Sequence, residues 1–282
     1  MQTIAVTGGS GKLGQYVIRE LVRQQYRVIS LDQKQAAGLP CRQIVVDMND
    51  FGQVAGALQG ADAIIHLAAI PSPNGFPHQT IFTNNVVGGF NILEAASMLG
   101  IRRVVMGSST SSYGFAWALE PFAPNYFPID EAHPHLAQEG YGLSKTLNEL
   151  TAEMFHRRNG MQVVSLRFSL IAAPDEYERM KDSIGSKADF AKILWSYIDI
   201  RDAVSACIAS LHADVDGAIA LNITGDDTLS AFDTSELLRE CYPEVTDLRS
   251  EMTGREPLFS NRLAKETLNW RPEHFWSAEL QG

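Results

Sequence analysis

The stretch that most constrains this chain is Thr7-Gly8-Gly9-Ser10-Gly11-Lys12-Leu13-Gly14, set between the apolar run Ile4-Ala5-Val6 and a helical pattern reaching about Arg23. A strand that turns this sharply into a helix aims its first-turn N–H groups at one spot, where the helix end carries roughly half a positive charge. Glycine permits the turn and lets an anion come within hydrogen-bond reach of the backbone. The spacing Gly8-x-x-Gly11-x-x-Gly14 differs from G-x-G-x-x-G but uses glycine for the same reasons. A dinucleotide pyrophosphate held by Gly8, Gly11, Lys12, Leu13 and Gly14 is the expected ligand.

A Gly-rich turn alone says little, and its context decides. A second strand, Arg27-Val28-Ile29-Ser30-Leu31, ends in Asp32, about twenty residues beyond the turn, where a carboxylate accepts from both hydroxyls of an adenosine ribose. A 2′-phosphate would instead meet that carboxylate at a cost of roughly 1 to 4 kcal/mol. Asp32 therefore predicts NAD rather than NADP.

Strands and helices alternate through the first two thirds of the chain, the pattern of an α/β fold with a Rossmann-type, doubly wound parallel sheet. Gln43-Ile44-Val45-Val46 reads as a third strand ending at Asp47-Met48, and Ala63-Ile64-Ile65-His66-Leu67 as a fourth running into Ala68-Ala69. Small residues there let the backbone pass close to a flat ligand. His66 reads as a satisfied strand-end side chain rather than a catalyst. A helix is expected from Thr80 to Leu99, stopped by Gly100, and then a fifth strand, Arg103-Val104-Val105-Met106, running straight into Gly107-Ser108-Ser109-Thr110-Ser111-Ser112-Tyr113-Gly114. Ligands of open α/β sheets bind beyond the carboxyl ends of the strands, so this serine cluster faces the expected ligand.

Tyr141-Gly142-Leu143-Ser144-Lys145 opens another helix continuing to about Arg158. Residues four apart share a helix face, so the Tyr141 hydroxyl and the Lys145 ammonium can enter one pocket. Bringing a tyrosine from about 10 to about 7 takes roughly 4 kcal/mol of preferential phenolate stabilisation. One cation about 4 Å away, at an effective dielectric near 20, supplies an interaction of that size. Tyr141 is then a candidate general base, with Ser109 binding the same substrate oxygen.

The formal net charge of −10, with no basic run, excludes a nucleic-acid or anionic-membrane surface. No apolar run approaches the roughly 20 residues of a membrane helix, and the chain opens on a strand rather than a signal peptide, so a cytoplasmic enzyme is expected. Cys41, Cys207 and Cys241 have neither metal nor redox spacing, and no role is assigned to them. His133 and His135 lack the partners of a metal site, and no metal is expected.

Taken together, these motifs resemble the extended short-chain dehydrogenase/reductase superfamily and, within it, the NAD-dependent sugar epimerase/dehydratase group. The similarity also runs through Asn85-Val86-Val87-Gly88 and Leu166-Arg167 and covers nearly the whole chain. It implies that Asp47 and Met48 flank the adenine, that Leu67, Ala68, Ala69, Asn85 and Ser108 line the cofactor, and that Ser109, Tyr141 and Lys145 are catalytic, with Tyr141 and Lys145 also touching the cofactor. It further implies a homodimer paired through the helices near 80–99 and 141–158. Residues 1–170 plus 195–225 are expected to form the NAD-binding domain, and 171–194 plus 226–282 a smaller substrate-binding lobe.

Departures from the group narrow the chemistry. Thr110-Ser111 follow Ser109 where dehydratases place an Asp-Glu pair, so the acid and base for water elimination are missing. The segment between Ala173 and Leu194 is short for a nucleotide-sugar epimerase and similar to that of uronate dehydrogenases. Beyond it, Trp195 to Ile200 reads as a strand, and the tail is epimerase-like. The expected activity is hydride transfer between a sugar or sugar-acid hydroxyl carbon and NAD; a UDP-hexose 4-epimerase-like activity is the alternative, and a non-catalytic NAD-binding regulator the third reading. Ser109, Ser111, Arg167 and Trp117 are candidate substrate contacts, and Arg179 and Lys181 further cations for a substrate carboxylate. The loop Phe115–His135, stiffened by four prolines, is expected to cover the substrate, its aromatics either stacking on a sugar ring or packing the lobe.

Overall fold

A computed structural model describes residues 2–280; positions 1 and 281–282, the outer ends of the expected division, lie outside the described residues. The strands are β1 (Thr3–Thr7), β2 (Arg27–Asp32), β3 (Arg42–Val45), β4 (Ala63–His66), β5 (Arg103–Ser109), β6 (Gln162–Phe168), β7 (Leu170–Ala172), β8 (Tyr197–Asp199) and β9 (Ala218–Ile223). Seven of them form one sheet in the order β3-β2-β1-β4-β5-β6-β9, and every pairing in it is parallel. The order reverses between β1 and β4, which opens a crevice at the carboxyl ends of those strands.

The helices are α1 (Lys12–Arg23), α2 (Phe51–Ala57), α3 (His78–Leu99), α4 (Gly140–Asn159), α5 (Pro174–Tyr177), α6 (Lys181–Ile184), α7 (Ile200–His212), α8 (Thr234–Cys241), α9 (Arg262–Leu268) and α10 (Trp276–Glu279). Val17, Ile18 and Leu21 of α1 pack with Ala203, Cys207 and Leu211 of α7 on one face of the sheet. Val54 of α2, Ile92 and Leu93 of α3, and Ala152 and Phe155 of α4 cover the other. Strands buried on both faces must be apolar throughout, which is why β1 carries no polar–apolar alternation. Both long helices end where a glycine takes a left-handed conformation, α3 at Gly100 (φ 72°) and α4 at Gly160 (φ 72°).

The expected strand from Trp195 to Ile200 is corrected. Leu194 and Trp195 adopt left-handed backbone angles (φ 56° and 47°), so extension begins only at Tyr197. At the other end, Asp199 accepts from the Arg201 N–H and starts α7 at Ile200. The resulting β8 pairs with β7 in a separate two-stranded sheet and does not enter the main one. Phe115 and Phe127 pack with Leu194, Trp195, Leu237 and Phe259, so these aromatics of the Phe115–His135 loop serve lobe packing, while Trp117 stays half-buried.

Candidate active site

The Gly-rich turn is closed by its own backbone. Gly8 adopts φ 67°, its N–H donates to the Leu31 carbonyl at 2.8 Å, and the Gly11 N–H returns to the Gly8 carbonyl at 3.0 Å. A Cβ added at Gly8 would lie 2.7 Å from the Ala68 nitrogen, and one at Gly14 would lie 2.1 Å from the Gly8 oxygen. Larger residues are therefore excluded from this turn. Asp32 sits at the rim of the same turn, its Oδ2 accepting the Ser10 N–H at 3.0 Å. Thr7 draws in the end of β4, its carbonyl taking the Leu67 N–H at 3.1 Å and its Oγ1 the Ala68 N–H at 3.2 Å. Thus the turn, Asp32 and Leu67-Ala68-Ala69 border one crevice, whose donors and glycines fit an NAD molecule laid along it.

Several expected cofactor residues meet other partners. The Lys12 ammonium reaches β7 and α5, donating to the Ile171 carbonyl at 2.9 Å and pairing with Glu176, so its side chain is engaged there rather than with a phosphate. Asn85 is buried and its amide is spent on the loop after β4: Oδ1 accepts the Ile70 N–H at 2.8 Å and Nδ2 donates to the Ile70 carbonyl at 3.1 Å. Met48 is buried beneath Gly88, with its carbonyl accepting from Asn91, whereas Asp47 is exposed and accepts the Asn49 N–H.

Ser109 closes β5 and turns it into a short 3-10 helix over residues 110–113, its Oγ accepting the Ser111 N–H at 3.1 Å. Ser111 is buried beside it. Facing them is α4, whose first turn carries Tyr141. Glu139 caps that helix, accepting the Gly142 N–H at 2.7 Å and the Tyr141 N–H. This residue was not anticipated, although an acidic side chain just before a helix is a legible signal. Tyr141 is buried; burial pushes its phenol up to about 12, the Ser109 hydroxyl pulls it down, and the Glu139 carboxylate pushes it further up. The Lys145 Nζ donates to the Gly107 carbonyl at 2.7 Å and lies 5.6 Å from the Tyr141 ring centroid. Burial brings the Lys145 amine down to about 8.

Two further assignments are corrected. Ser108 donates to Glu149 Oε1 at 2.5 Å, so its hydroxyl is committed to α4 rather than to a cofactor. Arg167 is buried on β6, donating to Glu149 Oε2 at 2.7 Å and to the Tyr113 hydroxyl at 2.7 Å. A guanidinium held this way is not free to take a substrate carboxylate. His66 is buried against the Thr7 hydroxyl at 2.7 Å, and burial brings it down to about 3, so the ring is neutral. His133 accepts the Asn125 N–H, and His135 stacks on Tyr113 beside Arg167.

Comparison with known proteins agrees with this architecture. The chain is 27% identical over 80% of its length to an L-arabinose 1-dehydrogenase (NAD(P)(+)) of Haloferax volcanii, covering 90% of that protein. It is 30% identical over 68% of its length to a uronate dehydrogenase of Pseudomonas syringae pv. tomato, covering 67% of that protein. Among solved structures, a short-chain dehydrogenase/reductase superfamily protein from Agrobacterium tumefaciens with bound NAD superposes with a TM-score of 0.76 at 23% identity, over 99% of this chain and 95% of the other. A UDP-galactose 4-epimerase superposes with a TM-score of 0.73 at 24% identity, over 99% of this chain and 96% of the other. The model of the NAD dependent epimerase/dehydratase family matches residues 4–223, and the chain belongs to that NAD-dependent family.

Proposed function

We propose that this protein oxidises a hydroxyl of a free sugar or sugar acid with NAD, using Tyr141, Ser109 and Lys145. The observation that carries this reading is the convergence of the β5 end and the first turns of α4, which sets the Ser109 hydroxyl against the Tyr141 phenol with the Lys145 amine alongside. Ser109 binds the reacting oxygen, and Tyr141 accepts its proton at the phenolate oxygen. Bound NAD supplies the hydride acceptor and a positively charged ring. Bringing a phenol from about 12 to about 7 takes about 7 kcal/mol, more than the roughly 4 kcal/mol from one nearby cation. A single cation therefore does not cover the whole shift.

The segment from Ala173 to Leu194 supports a small substrate. It is taken up by α5, α6 and short 3-10 turns, with Tyr177 and Ile184 packed on Tyr197 and Trp276, leaving no insertion to grip a nucleotide base. For a sugar acid, Arg179 and Lys181 are the candidate cations for the carboxylate, and Arg179 is the less closely paired of the two. Its guanidinium is exposed, with only loose pairs to Asp175 (3.6 Å) and Glu176 (3.8 Å), which compete weakly. We infer that a second copy covers Val87 and Phe90 of α3 and Leu143 and Leu150 of α4, large apolar side chains left exposed on adjacent helices.

An absorbance screen with NAD⁺ against free aldoses, hexuronic acids and nucleotide sugars tests the reaction. Net NADH with a free sugar or uronate is expected. The likeness to 4-epimerases keeps a second reading open, in which nucleotide-sugar isomers interconvert without net NADH and the same samples show it by chromatography.

A further inference from the structure

Tyr141, Lys145 and Glu149 stand at four-residue intervals on α4 and form one ladder along a single helix face. The first two rungs belong to the proposed chemistry; the third does not touch it. Yet the Glu149 side chain is only 10% exposed and is gripped from two strands. Ser108 of β5 donates at 2.5 Å, and Arg167 of β6 donates through Nε at 3.0 and 3.2 Å and through Nη2 at 2.7 Å. A solvated helix face would show none of these.

We propose that Glu149 is a positioning residue for the Ser109–Tyr141–Lys145 site, acting on Lys145 through its charge and on Ser109 through its bond to the adjacent Ser108. The proposal rests on the reading of that site given above.

The charge effect follows from what surrounds Lys145. Its hydrogen-bond acceptor, the Gly107 carbonyl, is neutral. The titratable groups facing it are Tyr141 and Glu149 on its own helix and His66 on β4, and Glu149 is the one that favours the ammonium. Around Glu149 stand Arg167, His135 with Nε2 at 3.8 Å, and, lining the same cavity of about 280 Å³, Glu131 and Glu153. Removing the carboxylate takes away the attraction and leaves the Arg167 charge uncompensated. Both changes disfavour the ammonium. The positional effect runs along β5, where the Ser108 bond to Glu149 anchors the strand end one residue before Ser109 turns towards Tyr141.

The test is the titration of Lys145 in the cofactor-free protein, followed by NMR of ¹³C,¹⁵N-labelled lysine with the signal assigned through Lys145→Met. Glu149→Gln is expected to lower the Lys145 midpoint by about one pH unit, and the alkaline edge of kcat/KM should move with it. A variant that loses thermal stability while the midpoint stays in place behaves as a merely structural ion pair and overturns the proposal. Since unpairing a buried arginine can prevent folding, the midpoint is also read in Glu149→Gln/Arg167→Met, where neither charge remains; a downward shift smaller than that of Glu149→Gln is expected, because the Arg167 repulsion is gone too, and an unmoved midpoint overturns the proposal there too. Failure of the site assignment shows separately, as full turnover in Tyr141→Phe.

Discussion

The Lys145 ammonium lies 5.6 Å from the centre of the Tyr141 ring while it donates to the Gly107 carbonyl at 2.7 Å. The lysine is thus tied to the backbone of β5 while it lies over the tyrosine ring. Replacing the phenol should separate chemistry from binding. Tyr141→Phe is expected to lower turnover by about 10²- to 10⁴-fold with NAD affinity unchanged, measured by steady-state kinetics and calorimetry on the same preparation.

Burial of Lys145 also gives stability a pH dependence. Its amine is brought down to about 8 in the folded chain, against about 10.4 unfolded, so between these values the unfolded state binds more protons and stability rises with pH. The rise amounts to about 3 kcal/mol across that window. Lys145→Met should abolish it, as read from the difference between urea-denaturation curves of the two proteins at pH 7.5 and at pH 10.5, roughly the ends of the window.

Asp32 is held at the Gly-rich turn by the Ser10 N–H, 3.0 Å from Oδ2. Asp32→Ala removes both an acceptor for ribose hydroxyls and the repulsion of a 2′-phosphate, so NAD should bind roughly tenfold more weakly and NADP more tightly. Calorimetric titration with both cofactors checks this. Equal affinities in the unaltered protein would remove the Asp32 assignment.

The parts of this fold that depend on neighbours in sequence were legible. The Gly-rich turn, β1, β2, β4 and the two long helices each announce themselves through glycine placement or apolar runs. What escaped depends on distant segments. Arg167 reads as a free cation until Glu149, 18 residues away, is seen to accept three of its bonds. Ser108 and Ser109 look equivalent in sequence, yet one is committed to Glu149 and the other faces Tyr141. Trp195 belongs to an apolar run, and only its left-handed backbone shows why the strand starts later. Glu149 itself had a usable signal, a carboxylate one turn beyond Lys145 on the buried stripe of α4.

His66 gives the last prediction. The ring is buried at the end of β4, bonded to the Thr7 hydroxyl at 2.7 Å, and brought down to about 3 by burial, with the Lys145 charge adding to the effect. Below about 6.5 the unfolded chain takes up a proton that the folded chain refuses, so stability falls as the pH drops from 6.5 towards 3. Over the whole window this amounts to about 5 kcal/mol, a large share of what holds an ordinary domain together. His66→Asn cannot protonate in that range and should weaken the protein at neutral pH while flattening its acid limb. Chemical denaturation of both proteins at pH 7 and at pH 4.5, within that window, reads the difference, and parallel losses of stability on acidification would mean that His66 is not held neutral by its site.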